Sequence, residues 1–200
     1  MLNQIKILDA KKKNININSI VKIHQESLPN NILTNLGKSF LIRMYCTILN
    51  NKYNTLIIAR YEKKIVGFIV LNFFKENFIK YLKISNLLIF LKNITINPTL
   101  LLSLYYQLIH NKNYPNFNSC EISHFAVSKK YRGVGVGKKL ILKSIKIAIS
   151  KNLSYIKTKT KNVNLSKFYI NTFNASIIEK FCFLDKNFFI IKIPIKSKKN

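Results

Sequence analysis

Three glycines at alternate positions, in Arg132-Gly133-Val134-Gly135-Val136-Gly137, stand between an apolar run and a stretch of helical periodicity. No other segment restricts the fold as much. Glycine reaches backbone dihedrals closed to other residues and lets a ligand approach the main chain. A loop of this kind between a strand and a helix gathers backbone N–H groups at a helix N-terminus, whose partial positive charge favours an anion. Residues 122–127 read as the strand. Residues 136–150 read as the helix, with Leu140, Ile141, Ser144, Ile147 and Ala148 on its inner face. Arg132, Lys138 and Lys139 add charge at the mouth. A dinucleotide-binding loop requires a longer GxGxxG and an acidic residue at the end of the next strand, where this chain has Lys157, Lys159 and Lys161. A P-loop requires Gly-Lys-Ser/Thr, but Gly137 is followed by Lys138-Lys139. Neither motif fits.

The flanking sequence supplies the other elements. Residues 5–8 read as a short strand, and Asn18-Ser19 as the cap of a helix that runs through Ile20, Ile23 and His24 until Pro29-Asn30-Asn31 breaks it. Phe40, Leu41, Met44, Tyr45 and Leu49 recur at helical spacing, so a second helix ends near Asn50-Asn51. Residues 55–61 and 65–73 form an expected antiparallel hairpin turning at Glu62-Lys63-Lys64. Residues 74–118 read as a helical insertion split near Asn97-Pro98, with its apolar stripe against the sheet or walling an acceptor site. Residues 155–160 read as the next strand and 165–171 as a short helix. Residues 176–178 and 188–193 form a closing hairpin around Asp185-Lys186-Asn187. One domain over residues 1–195 and a frayed tail at 196–200 are expected.

Composition excludes more than it assigns. Cys46, Cys120 and Cys182 are odd in number and widely spaced, which argues against a disulfide framework and for a reducing, cytoplasmic setting. The first residues lack the apolar core of a secretory signal. The most apolar stretch, residues 82–96, is interrupted by Lys83, Asn86, Lys92 and Asn93, so no transmembrane segment is expected. His24, His110 and His124 have no second His or Cys at ligand spacing, so no metal is expected. The net charge of +27 is nearly all lysine, with Arg43, Arg60 and Arg132 the three arginines. Lys, Asn and Ile share A/T-rich codons, so this surplus does not itself point to nucleic acid. It leaves room for weak contact with a membrane surface, and it attracts anionic ligands while repelling polycations within roughly 8 Å.

The segment Val127-Ser128-Lys129-Lys130-Tyr131-Arg132-Gly133-Val134-Gly135-Val136-Gly137-Lys138 resembles motif A of the GCN5-related N-acetyltransferases (GNAT). Downstream, Asn162 and Phe168-Tyr169 resemble that family's Asn…Phe-Tyr segment, although Thr172-Phe173-Asn174 replaces its usual Gly-Phe. Lys63-Lys64-Ile65-Val66-Gly67-Phe68 resembles its hairpin. The resemblance implies an α/β fold with a mixed, mostly antiparallel central sheet flanked by helices. It also implies direct transfer of acetyl from acetyl-CoA to a primary amine. In such a site Arg132, Gly133, Val134, Gly135, Val136, Gly137 and Lys138 hold the pyrophosphate. The backbone of Phe125, Ala126 and Val127 pairs with the pantetheine arm, and Asn162 contacts the cofactor. Tyr169 is then the general acid, and Glu121, at the start of the strand entering motif A, the base. His124 competes for the base role. It lies at opposite parity to Glu121, so one of the two faces the cleft if the strand is regular. The segment from Glu26-Ser27-Leu28-Pro29 to Leu36-Gly37-Lys38-Ser39-Phe40-Leu41 resembles amino-sugar acetyltransferases. A non-catalytic acetyl-CoA-binding module and a basic nucleic-acid or membrane-surface protein are the other two readings open to the sequence.

Overall fold

The structure is a computed structural model that describes residues 4–10, 15–29, 31–74, 91–92, 95, 102, 118–183 and 186–195. The expected insertion at 74–118 falls outside the described residues apart from a few positions, as do Asp185 in the expected turn and the tail from 196.

The chain runs β1 (Ile5–Asp9), α1 (Ile17–Ser27), α2 (Ile32–Asn35), α3 (Lys38–Asn50), β2 (Asn54–Tyr61), β3 (Lys64–Asn72) and β4 (Ser119–Val127). A 3-10 turn (Lys129–Tyr131) leads to α4 (Val136–Ser150), β5 (Tyr155–Thr160), α5 (Val163–Phe173), β6 (Ser176–Phe183) and β7 (Lys186–Pro194). The strands form one seven-stranded sheet in the order β1-β2-β3-β4-β5-β7-β6. Among the described residues only β4 and β5 pair in parallel, and the other neighbours are antiparallel. This is the mixed, mostly antiparallel sheet expected from the sequence.

Apolar residues cover both faces of the sheet. On one face, α1 and α3 place Ile20, Val21, Ile23, Phe40, Leu41, Met44, Tyr45 and Ile48 against Leu56, Ile58, Phe68, Val70 and Ala126. On the other face, α4 and α5 place Val136, Leu140, Ile141, Ala148 and Tyr169 against Ile57, Ile69, Leu71, Ile122 and Ile156. Each of these large side chains contributes about 1.5–3 kcal/mol through burial, enough to fix the helices that carry the site.

Several boundaries differ from the sequence expectation: β4 starts at Ser119 rather than 122, β6 runs to Phe183 rather than 178, and Lys186 and Asn187 of the expected turn are already paired in β7. Helix α1 begins at Ile17 with Asn16 as its cap residue, so Asn18 and Ser19 lie inside its first turn. The β2–β3 turn is tighter than three residues: β3 starts at Lys64, and Glu62 takes a φ of 51° to close it. Helix α5 extends from 163 to 173 because the Asn162 side chain caps it, accepting a hydrogen bond from the Leu165 N–H at 3.0 Å.

Candidate active site

The site begins where two strands part. β4 and β5 pair from Ser119↔Tyr155 to Ile122↔Thr158 and no further, although β4 continues to Val127 and β5 to Thr160. Each strand keeps its other neighbour along that length, β3 for β4 and β7 for β5, so the sheet stays continuous while a wedge opens within it. Along the wedge the backbone of Phe125, Ala126 and Val127 is not laddered to β5. Such an edge accepts an extended amide-bearing chain as an added strand.

The apex of the wedge is polar and well tied. The Thr158 hydroxyl donates to the Ile122 carbonyl at 3.3 Å. Thr158 is also the polar neighbour of the Tyr169 side chain, which is buried at 1% exposure. Burial holds the Tyr169 phenol above its ordinary range, with the polar Thr158 opposing, so the hydroxyl keeps its proton at neutral pH. Phe125 and Phe168 pack around the tyrosine, with ring centroids 6.5 and 5.8 Å away.

The mouth of the wedge is the glycine loop. Gly135 sits at φ 84°, ψ 1° as the N-cap residue of α4, a left-handed conformation that costs an L side chain roughly 1 kcal/mol or more. Val136 is in the core at 1% exposure and anchors the loop, whereas Val134 is exposed, and the N–H groups remain as the chemical feature. Gly137 is closely packed: a Cβ there would lie 3.0 Å from the Phe125 ring, which would have to shift to admit it. Lys138 is exposed at the first turn of α4. Arg132 folds back across the mouth, its Nε donating to the Val127 carbonyl at 2.9 Å and its Nη2 to the Ser27 hydroxyl at 3.1 Å. It thereby fastens the end of α1 to the end of β4.

A bulge overturns the parity argument for Glu121 and His124. His124 pairs with Val70 and Ile122 with Leu71, so Ser123 is an extra residue in β4. Before the bulge, Cys120 and Ile122 point to the α4–α5 face. After it, Phe125 and Val127 do so. Glu121 and His124 therefore both face the α1–α3 side. Glu121 is opposite Lys157 in register and interacts electrostatically with Lys159. Lys159 is exposed overall, yet desolvation lowers its pKa, with Glu121 pulling the other way. The His124 Nδ1 lies 3.0 Å from the Ser123 hydroxyl, and burial depresses the ring's pKa to about 4. Behind it is His24, fully buried, with Nδ1 2.6 Å from the Tyr45 hydroxyl. The His24 ring lies 5.6 Å from the His124 ring and stacks on Phe68, and its pKa falls to about 3, first through burial and then through His124.

The family model described as Acetyltransferase (GNAT) family matches residues 17–171 of the chain. The protein belongs to the GNAT acetyltransferase family. No curated protein matches the sequence of this acetyltransferase. Its fold is shared with an aminoglycoside 6'-acetyltransferase type Ii at TM-score 0.63 and 13% identity, covering 96% of this chain and 99% of that one. It is also shared with the ribosomal-protein-S18-alanine N-acetyltransferase of Escherichia coli, at TM-score 0.60, 9% identity and coverages of 98% and 97%. An acetyltransferase from Bacillus anthracis str. Ames, solved with acetyl coenzyme A, matches at TM-score 0.52 and 21% identity over 76% of this chain and 69% of that one. At these identities the likeness is one of fold.

GNAT proteins use acetyl-CoA, and the acetyltransferase has the features that such a ligand requires. It has a strand edge unladdered to β5 at Phe125–Val127 and a helix N-terminus at Val136 without a side-chain cap, with the Phe125 ring packed against Gly137 between them. The structure brings together Tyr169, Phe125, Val127, Arg132 and the glycines. It puts Glu121 on the opposite face of the sheet from the Tyr169 ring, and it commits the Asn162 carbonyl oxygen to capping α5. Sequence reasoning missed Thr158 and Ser27. The alternation Ile156, Thr158, Thr160 against Lys157, Lys159 is a period-two signal that could have picked out Thr158 as inward-facing. Nothing local marks Ser27, whose partner is 105 positions away. Among the described residues no group of three or more His, Cys, Asp or Glu side chains is placed to hold a metal, and no helix is long and apolar enough to cross a membrane.

Proposed function

We propose that this acetyltransferase moves the acetyl group of acetyl-CoA directly onto a primary amine of a small molecule, such as an amino sugar, or of a protein. The observation that carries the reading is the wedge between β4 and β5, closed at its apex by Thr158 and Tyr169 and bounded at its mouth by the N-terminus of α4. The amides of Gly133–Lys138 and the Arg132 guanidinium receive the diphosphate, and Phe125, Ala126 and Val127 align the pantetheine by main-chain hydrogen bonds. Asn162, whose carbonyl oxygen caps α5, retains its amide N–H groups for the ligand.

Glu121 takes the proton that the amine loses, and the Tyr169 hydroxyl serves the departing thiolate. A thiol has a pKa of roughly 8.5 and a phenol of roughly 10, so full proton transfer from a tyrosine held still higher is uphill. The hydroxyl therefore acts first as a hydrogen-bond donor to the sulfur as negative charge develops on it. Lys157 and Lys159 beside Glu121 disfavour a polycationic acceptor. A singly charged or neutral amine, an amino sugar among them, suits that environment better.

The test is calorimetry with acetyl-CoA, then an amine panel followed by release of the free thiol. Saturable acetyl-CoA binding and turnover with at least one amine are expected. In Tyr169→Phe, kcat should fall about 100-fold or more while the KM for acetyl-CoA changes little, as general acid catalysis contributes 10²–10⁴-fold. Undiminished turnover would remove the acid role, and absence of acetyl-CoA binding would remove the function. Glu121→Gln should lose rate most strongly at low pH, where less amine is already deprotonated.

A further inference from the structure

Outside the wedge, the α1–α3 face carries a cavity of about 570 Å³ between α1, the β2–β3 turn and the 3-10 turn that precedes Arg132. Its size suits a metabolite, since small-molecule sites run from roughly 300 to 1,000 Å³. The floor is apolar, made by Ile23, Ile58 and Ile65. The walls carry Lys22, Arg60, Lys63, Lys64 and Lys130 against one acid, Glu26, which stands 3.9 Å from Lys22. One side chain distinguishes this from an ordinary lysine surface. Arg60 is at a second bulge, where Ala59 pairs with Gly67 and Arg60 with Ile65, leaving Val66 as the extra residue. A bulge re-aims the side chains beside it, and the Arg60 Nε is buried with no hydrogen-bond partner among the described residues.

A buried donor left unpaired costs roughly 1–3 kcal/mol, more when the group is charged, so the Arg60 guanidinium is held beside the cavity one hydrogen-bond partner short. Arginine is also scarce here: three arginines stand among 34 basic residues, so a guanidinium at this position is not explained by the general lysine surplus. Its planar fork binds phosphate oxygens in pairs, which an ammonium does not do. We propose that this cavity binds a phosphorylated small molecule, the phosphate on Arg60 and the lysines of the β2–β3 turn and the organic body on the isoleucine floor. The site is separate from the acetyl-CoA wedge and does not depend on acetyl transfer.

The test titrates the whole protein, saturated with coenzyme A to fill the wedge, with inorganic phosphate and with phenyl phosphate at low salt. One saturable site is expected, tighter for phenyl phosphate because its ring adds apolar burial. Arg60→Met should weaken both probes about 10-fold or more while coenzyme A affinity stays unchanged, the effect of losing charge-assisted hydrogen bonds. Lys63→Gln/Lys64→Gln, on an exposed turn where folding is not at risk, should weaken them too. Lys146→Gln/Lys180→Gln, which removes the same charge from distant exposed positions, should not. No saturable binding would overturn the proposal, as would an Arg60→Met protein that binds normally or equal losses in the two lysine pairs. Equal affinity for the two probes would overturn the assignment of an organic body.

Discussion

At the scale of single residues, the pair His24 and His124 links burial to pH. Both rings are held well below the ordinary imidazole pKa of 6.5, at about 3 and about 4, with desolvation the main cause in each. Between these values and 6.5 the unfolded chain binds protons that the native state refuses, so stability is unaffected above pH 6.5 and falls as pH falls below it. Each histidine then removes up to about 1.4 kcal/mol per pH unit. Urea denaturation from pH 7 to 4.5 should show a declining midpoint, and His24→Phe, which keeps an aromatic ring against Phe68, should flatten that decline. A slope equal to that of the unaltered chain would mean that the buried imidazole is not responsible. The same numbers bear on the base. An imidazole whose conjugate acid has a pKa of about 4 is no stronger a base than an ordinary carboxylate, whose pKa is roughly 4.3, so basicity alone does not separate His124 from Glu121 on that face of β4.

At the scale of elements, α4 and the strand before it decide whether the wedge exists. The helix limits 136–150 were legible because apolar periodicity and three clustered glycines mark them locally, and β5 was legible through its strict alternation. The bulge at Ser123 was not. Whether one strand holds an extra residue is set by its register against its neighbours, and Ile122-Ser123-His124 contains nothing that announces it. The tie from Arg132 to Ser27 escaped for the same reason, since the fold alone brings these residues together. Gly137→Ala tests the element directly. Alanine is the better helix former by about 1 kcal/mol, so the helix itself gains, but the new Cβ meets Phe125 at 3.0 Å and pushes its ring toward the wedge. The KM for acetyl-CoA should rise about 10-fold, a loss of roughly 1.4 kcal/mol, with the thermal midpoint unchanged or higher. An unchanged KM would show that Phe125 can yield without narrowing the slot.

At the scale of the whole molecule, two cores on opposite faces of one sheet hold the wedge open from both sides, and a charge of +27 surrounds it. That charge has a consequence whatever its origin. Acetyl-CoA is a polyanion, and a strongly cationic protein draws it in over the Debye length, roughly 30 Å at 0.01 M salt and 10 Å at 0.1 M. The effect belongs to encounter rather than chemistry, so kcat/KM for acetyl-CoA should fall about 3- to 10-fold from 0.01 to 0.3 M salt while kcat stays nearly constant. For a neutral acceptor kcat/KM should be flat over the same range, and for a cationic amine it should rise as repulsion is screened. Steady-state rates at fixed pH in sodium chloride separate these cases. An acetyl-CoA curve as flat as that of the neutral acceptor would mean that the lysines exert no net field at the wedge, and that their excess is a matter of composition alone.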